Sequence, residues 1–408
     1  MMFDIQKVRA DFPALEQKIY GNRLAYLDSA ASAQKPKAVI ESITLGLSAN
    51  YANVHRGLHF LANEATEAYE TARITVKKFL NASQEDEIIF VKNATEAINL
   101  VAYSWGMKNL KSGDEILLSS LEHHANIVPW HFLRERLGVE LKFVPLNSEG
   151  NFDLPEFEKA ISKKTKLLAI SHMSNVTGEI LPIEAIIKKA KAYDLPVLVD
   201  GSQAVVHKQV DVQALGCDWY VFTGHKLYGP TGIGVLYGKK ERLEDMPPFL
   251  GGGEMIAEVT TSSVSYNVPP FRFEAGTPPI IEAIGLTAAI TYVESLGYDS
   301  IANYEKELSL YAKEALSAIK DLSFYGAVEL KHGIFSFNLK NIHPHDLATY
   351  LDRKGVAIRA GTHCAQPLLS IFGITACARA SLALYSNKAD IDQLITALDQ
   401  AKRFFDGK

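Results

Sequence analysis

The sequence predicts an α/β protein: a large domain built on a mostly parallel, mixed sheet with helices on both faces, followed by a smaller α+β domain. Three observations predict it. From Glu87 to Tyr237, short apolar runs alternate with segments of helical period. Two of those runs end in polar residues suited to chemistry, one at Asp200 and one at Thr223, His225 and Lys226. After about residue 300 the order changes to helix, strand, helix, strand and helix, which reads as a separate unit.

Taken in order, residues 1–24 read as a short helix and a tail laid on the surface. Leu24–Asp28 reads as a short strand entering the small-residue turn from Ser29 to Ala33. Asn53–Thr66, with His55 and Arg56 near Gly57, reads as a loop feeding a helix; its spacing assigns no role to either residue. Then Glu87–Val91 is a strand and Thr95–Trp105 a helix with one apolar face. Glu115–Ser119, Val139–Pro145 and Lys166–Ser171 follow as strands, separated by helices over Asn126–Leu137 and Leu154–Ile161. The helix Ile183–Ala192 leads to the strands ending at Asp200 and Phe222, and Gly232–Tyr237 adds an expected edge strand. Residues 244–276 break the rhythm with Pro247, Pro248 and three consecutive glycines, and predict a projecting loop and hairpin. A long helix, Ile280–Leu296, closes the large domain. The expected division is 1–24, 25–299 and 300–408, the last part carrying Ile301–Ile319, Gly333–Asn338, His345–Lys354, Ala357–Ala360 and Ala389–Phe404 as elements.

Composition narrows the function. The chain has 408 residues, 47% of them hydrophobic, which is ample for a core. A net charge of -5 gives no global basic field to recruit nucleic acid. Three cysteines, Cys217, Cys364 and Cys377, cannot all pair and form no disulfide framework, which favours a reducing compartment. The start holds Asp4 and Asp11 with no sustained apolar run, unlike a signal or transit peptide. With no apolar stretch near the roughly 18 residues of a membrane span, the expected home is the cytoplasm.

In an open α/β sheet, chemistry sits beyond the carboxyl ends of the strands. Asp200 and Lys226 are offered there together. A lysine nucleophile forms a Schiff base with a carbonyl, and pyridoxal phosphate (PLP) sites pair such a lysine with an acid on the pyridinium nitrogen. Asp200 would keep that nitrogen protonated. Gln203 could donate to the ring's phenolate oxygen, and Thr223 and His225 to its phosphate. Taken singly, Asp200 could cap a helix and Lys226 could be solvated. Asn93, Ala94, Thr95 and Glu96 lie between a strand and a helix, where free N–H groups suit a phosphate or an ordinary cap. His123 and His124 follow another strand; one could stack on a cofactor ring and relay protons. A metal there is a poor fit, because adjacent side chains diverge and no carboxylate or Cys stands at ligand spacing. Cys364 sits in a polar loop after Gly361, with Arg359 and His363 close by, a cationic setting that would lower its pKa. Cys217 and Cys377 sit in apolar runs and read as inert. Arg379 is a lone cation among small residues and wants either a substrate carboxylate or a protein acid.

Thr-Gly-His-Lys-Leu-Tyr-Gly-Pro-Thr-Gly-Ile-Gly around Lys226 and Arg-Ala-Gly-Thr-His-Cys-Ala-Gln-Pro around Cys364 carry a resemblance. Val-Asp-Gly-Ser-Gln-Ala and Asn-Val-His-Arg-Gly support it. The whole chain resembles the PLP-dependent cysteine desulfurases of the aminotransferase class V family, nearest to the SufS-type desulfurase and selenocysteine lyase group. The resemblance implies fold type I of the PLP-dependent transferases, working as a homodimer with shared sites. It implies that Lys226 holds PLP, Asp200 meets the ring nitrogen, Gln203 the phenolate, and His123 stacks and acts as an acid. Thr95, Thr223 and His225 would hold the phosphate, helped by backbone at Ala94 and by Thr277 from the partner subunit. Asn175 and Arg379 would hold the substrate carboxylate, with Arg359 near the cysteine loop, and Cys364 would accept sulfur from L-cysteine. A small SufE- or SufU-like acceptor would carry it to iron–sulfur cluster assembly. Thr362 stands where relatives often carry a first His, and Ala94 where some carry a hydroxyl. Lys226 and Asp200 would serve an aminotransferase or a kynureninase-like hydrolase equally; Cys364 discriminates.

Overall fold

The computed structural model describes residues 3–327, 329 and 331–407. Its main sheet has seven strands. Across the sheet they run Ile88–Val91, Gly234–Gly238, Trp219–Thr223, Val197–Asp200, Thr165–Ser171, Glu115–Ser119 and Glu140–Val144. Gly234–Gly238 is antiparallel to both neighbours, and the other pairs are parallel. The expected edge position for this strand is therefore corrected. It lies inside the sheet, and Ile88–Val91 takes the edge. All its residues are buried, as a strand covered on both faces must be.

The flanking helices follow from their spacing. In Ile183–Lys191, the residues Ile183, Ile186, Ile187 and Ala190 fall on one face and are buried. Each buried isoleucine contributes roughly 1.5–3 kcal/mol relative to exposure. Three lysines sit in the last turn, where they complement the helix dipole. The helix Phe60–Leu80 buries Ala62, Ala65, Tyr69, Ala72 and Val76 and stops at Asn81, which takes the left-handed cap conformation. The predicted helix from Thr95 is α-helical over Ala94–Val101 and passes into one π turn, Ala102–Gly106. Ile280–Leu296 is a helix over the predicted span.

The second sheet has the order Leu322–Phe324, Ile334–Leu339, Cys377–Ser381, Arg359–Gly361, all antiparallel. The single strand expected over Ala357–Ala360 is split. Val356–Ala357 pairs in parallel with Ala25–Tyr26, while Arg359–Gly361 joins the second sheet. Thus the stretch after residue 24 pairs with the C-terminal part of the chain, and Asp28 bridges to Ser381. The N-terminal segment docks there too, through Arg9–Asp390 at 2.9 Å and a stacked Phe3–Tyr304 pair. The hairpin Ile256–Val259 and Val264–Tyr266 projects with its side chains largely exposed. Among the described residues, no single helix is long and apolar enough to cross a membrane.

Candidate active site

The carboxyl ends of the parallel strands open onto a cavity of about 270 Å³. Register sets its floor. Ser171 pairs beside Asp200, and Asp200 beside Val221, so the chain reaches Thr223 and Lys226 just beyond the same edge. Ala94, Thr95, His123, Asn175, Asp200, Gln203, Thr223, His225, Lys226, Arg359, Cys364 and Arg379 all line the cavity. Thr277 does not; it is exposed elsewhere on the surface.

Two glycines permit this edge. A Cβ on Gly234 would come within 2.5 Å of the Asn93 backbone, and one on Gly201 within 2.1 Å of the Tyr220 ring. The Asn93 backbone cannot yield without moving the chain between strand and helix, and the Tyr220 ring is fully buried. Asn93 caps the helix Ala94–Val101 by accepting from the Glu96 N–H, leaving the first-turn amides of Ala94 and Thr95 at the cavity.

Lys226 is half-buried, and desolvation of its amine pushes the pKa down to about 8 against the opposing pull of Asp200. Asp200 is nearly buried and accepts from the Ser202 N–H at 3.0 Å. His123 accepts from the Ala125 N–H through Nδ1 at 3.0 Å, so its neutral form carries the proton on Nε2. Burial and the Lys226 charge hold its pKa down to about 4. The imidazole is therefore neutral at pH 7 and offers Nε2–H as a hydrogen-bond donor. Gln203 spends one amide hydrogen on the Ala30 carbonyl at 2.8 Å, which leaves the other for a ligand. Thr223 Oγ1 and Ser202 Oγ are buried without any partner.

The small-residue turn has a purpose that its sequence does not reveal. Lys35 Nζ donates to the carbonyls of Ala33 and His225, at 2.6 and 2.9 Å, and Ala33 N donates to His225 O. This binds the turn to the residue before Lys226. Glu122 was also missed. It is fully buried beside His123 and accepts from Ser119, Asn126 and both the N–H and hydroxyl of Ser171. Burial outweighs those donors and pushes its pKa up to about 7. Neither residue belongs to a motif; only the position of Glu122 beside His123 hinted at it.

Arg379 is buried, donates to the Asn175 carbonyl at 2.8 Å, and leaves Nε without a partner. Burial lowers its pKa to about 10. Its Nη2 also lies 3.5 Å from Asp28. Arg359, opposite Arg379 in register, holds Asp28 through Nε and Nη2 at 3.0–3.2 Å. So both alternatives for Arg379 are present at once: an acid nearby and a donor still free. Asp28 was not foreseen, because it lies more than 300 residues away in sequence. Of the cationic setting read around Cys364, His363 drops out, since burial holds it neutral with a pKa of about 3, while the Arg359 guanidinium, paired with Asp28, and the Lys226 amine remain within electrostatic reach of the thiol.

Cys364 is exposed, while Cys217 and Cys377 are buried, with pKa values pushed up to about 12 and about 11. Only Cys364 is available as a nucleophile. His55 bonds Glu70 at 2.9 Å, its ring perpendicular to that of Phe271, and Arg56 pairs with Glu254 on the surface. Neither lines the cavity. Among the described residues no group of three His, Cys, Asp or Glu side chains is placed to hold a metal ion.

The mixed sheet, mostly parallel, with a smaller second sheet beside it, is the fold of the PLP-dependent transferases. The aminotransferase class-V family matches residues 25–394, and the chain belongs to that family. Similar proteins include the cysteine desulfurases of Salmonella agona, 49% identical over 99% of both chains, and Klebsiella pneumoniae, 51% identical over 98% of both. Among solved structures, the Escherichia coli cysteine desulfurase CsdA in its S-sulfonic acid form superposes with a TM-score of 0.92 at 39% identity. That match covers 99% of this chain and 100% of the other. The apo cysteine desulfurase of Thermococcus onnurineus also gives 0.92, at 37% identity over 97% of each chain. Pyridoxal phosphate is the family's cofactor, and this cavity fits it. The orphaned Thr223 hydroxyl, the first-turn amides and the desolvated amine of Lys226 are groups that a phosphate and an aldehyde satisfy.

Proposed function

We propose that the protein is a SufS-type cysteine desulfurase, converting L-cysteine to L-alanine and taking the sulfur onto Cys364 as a persulfide. One observation carries the reading: the chain's one exposed thiol opens onto the cavity that holds Lys226 and Asp200. The named relatives support it. In this reading residues 25–299 form the cofactor-binding domain, residues 300–408 carry the cysteine loop, and residues 1–24 pack on the latter.

Bound PLP supplies an electron sink for the bonds broken at the substrate's carbons. Lys226 would hold it, with Asp200 at the ring nitrogen, Gln203 at the phenolate oxygen and His123 over the ring. Thr95, Thr223, His225 and the Ala94 amide would hold its phosphate, and Thr277 would reach the partner subunit's site. Arg379 and Asn175 would bind the substrate carboxylate, through the free Nε–H of Arg379 and the second amide hydrogen of Asn175. Arg359 would stay beside the cysteine loop on Asp28. A Lys226 amine with a pKa held down to about 8 has an appreciable neutral fraction at physiological pH, which suits it to take the Cα proton. The Cys364 thiolate then attacks the substrate sulfur. An S–S bond forms as the C–S bond breaks, and the electron pair left on carbon takes a proton from the Lys226 ammonium formed in the preceding step, while neutral His123 offers Nε2–H as a hydrogen-bond donor beside it. Cys364 keeps the persulfide and alanine leaves.

The proposal includes a homodimer, for which the exposed Leu47, Leu58 and Phe60 supply an apolar surface. It includes a SufE- or SufU-like acceptor delivering sulfur to iron–sulfur cluster assembly. It also includes a cytoplasmic location, which three unpaired thiols suit. Selenocysteine is a second substrate in this reading, because selenium leaves carbon more readily than sulfur. The test is mass spectrometry of intact protein and its peptides after exposure to L-cysteine. One added sulfur on the peptide containing Cys364 is expected; added sulfur elsewhere, or alanine formed undiminished by a Cys364→Ala variant, rejects the persulfide route.

A further inference from the structure

We propose that His124 is a positioning residue for Cys364: it caps, from the large domain, the helix that follows the cysteine, and so latches the thiol loop over the cavity. The inference rests on Cys364 being the sulfur acceptor. The loop needs holding. His363 and Cys364 have φ of 51° and 54°, two consecutive non-glycine residues in the left-handed region. Such a conformation persists only where its surroundings over-determine it.

The surroundings are specific. The His124 N–H donates to the Cys364 carbonyl at 2.7 Å. The His124 ring accepts through Nε2 from the Gln366 N–H at 3.0 Å. Gln366 opens the helix Gln366–Ile371, which has no side-chain cap of its own, and Pro367 has no N–H to offer. The imidazole thus meets an amide that the helix leaves open. Asn175 Nδ2 holds the His363 carbonyl at 2.8 Å, and His363 Nε2 donates to the Cys377 carbonyl at 2.9 Å. Cys364 is consequently bracketed, its carbonyl by the His124 backbone and the amide two residues later by the His124 ring. Burial lowers the pKa of His124, which keeps the ring neutral and its acceptor lone pair available.

The assignment separates His124 from its neighbour. His123 faces the cofactor's place, whereas His124 acts through Cys364 alone. Removing the ring's acceptor should therefore slow sulfur transfer without weakening substrate binding.

The experiment uses the PLP-loaded enzyme and two variants, His124→Leu, which keeps bulk without an acceptor, and His124→Gln, which keeps a side-chain carbonyl. His124 is half-buried, so both are tolerable substitutions. A hydrogen bond of this kind is worth a factor of roughly five. In His124→Leu, kcat for L-cysteine is expected to fall about five-fold or more with KM unchanged, and amide exchange at Gln366 to accelerate by about the same factor. His124→Gln is expected to restore both to within about two-fold. Wild-type kcat and wild-type Gln366 exchange in His124→Leu would overturn the proposal, as would a Gln variant no better than Leu. If His124→Leu does not fold, Gln366 exchange in the unmodified enzyme decides: an amide unprotected there sinks the latch. Should Cys364→Ala turn over cysteine normally, the function reading fails, while the exchange data still report on the latch.

Discussion

Glu274→Ala should destabilise the protein more than any exposed substitution, and the structure gives the size. Glu274 Oε1 accepts from Arg73 Nη1 and from the Phe90 N–H, both at 2.7 Å. Oε2 accepts from Arg73 Nη2 at 2.9 Å and from the Tyr69 hydroxyl at 3.0 Å. The two side chains are 2% and 5% exposed. Alanine would strand a buried guanidinium and leave the Phe90 N–H and the Tyr69 hydroxyl without acceptors. Breaking a buried pair from one side costs roughly 3–5 kcal/mol. Glu70, 3.0 Å from Arg73 Nε, offsets part of the charge, which places the expected loss at the low end, about 3 kcal/mol. With a urea slope of about 3 kcal/mol per molar, the midpoint should fall by about 1 M. The double variant Arg73→Met with Glu274→Met removes both charges together and should recover a large part of that loss. The assay is urea unfolding at neutral pH, followed by tryptophan fluorescence. A Glu274→Ala midpoint within about 0.3 M of wild type, or a double variant no more stable than the single one, would refute the reasoning. The pair ties the helix Phe60–Leu80 to the strand Ile88–Val91 and to the segment before Thr277, so its loss should also loosen the cofactor cup.

Three further outcomes are expected. Arg379→Met should raise KM for L-cysteine by about 10- to 100-fold, since a charge-assisted contact contributes roughly 1.5–3 kcal/mol; an unchanged KM in steady-state assays would show that the carboxylate binds elsewhere. His172, buried with Nδ1 2.9 Å from the Tyr220 hydroxyl, has its pKa pushed down to about 3 by burial and then by the Lys208 charge. A depressed folded-state histidine binds fewer protons than the unfolded chain below pH 6.5, so its share of stability is full above that value and is lost as pH falls towards 3. At pH 5 the loss is about 2 kcal/mol, and His172→Gln should flatten the decline in urea midpoint between pH 7 and 5; an identical slope contradicts it. Finally, Leu58→Asp together with Phe60→Asp should lower the mass seen by light scattering from dimer to monomer, and a wild-type monomer would remove the shared-site reading.

Much of the main sheet was legible because its signals are local. Apolar runs such as Glu115–Ser119 and helix-period segments such as Ile280–Leu296 declare themselves within one element, and the motif glycines mark places where backbone must approach backbone. Gly232–Tyr237 was recognisable as a strand, yet its place inside the sheet was not, since strand order depends on pairings with Phe90 and Phe222 that no local pattern encodes. The site divides in the same way. Lys226, Asp200 and Cys364 stood out because each lies in a motif rich in small residues. Asp28, Lys35, Glu122 and His124 lie outside such patterns, and their roles appear only where the chain brings them against Arg359, His225, Ser171 and Gln366.

By itself, the sequence determined the residue chemistry and the alternation that builds a parallel sheet, because side-chain type and period act over a few neighbouring positions. Only the tertiary structure decided which charges are already answered and which groups remain open. It is the fold that pairs Arg359 with Asp28, keeps Nε of Arg379 free, holds His123 neutral and sets the His124 ring against the Gln366 amide. The physical reason is that burial and partnership are set by the whole three-dimensional neighbourhood, and a pKa or a free hydrogen bond cannot be read from a residue without it.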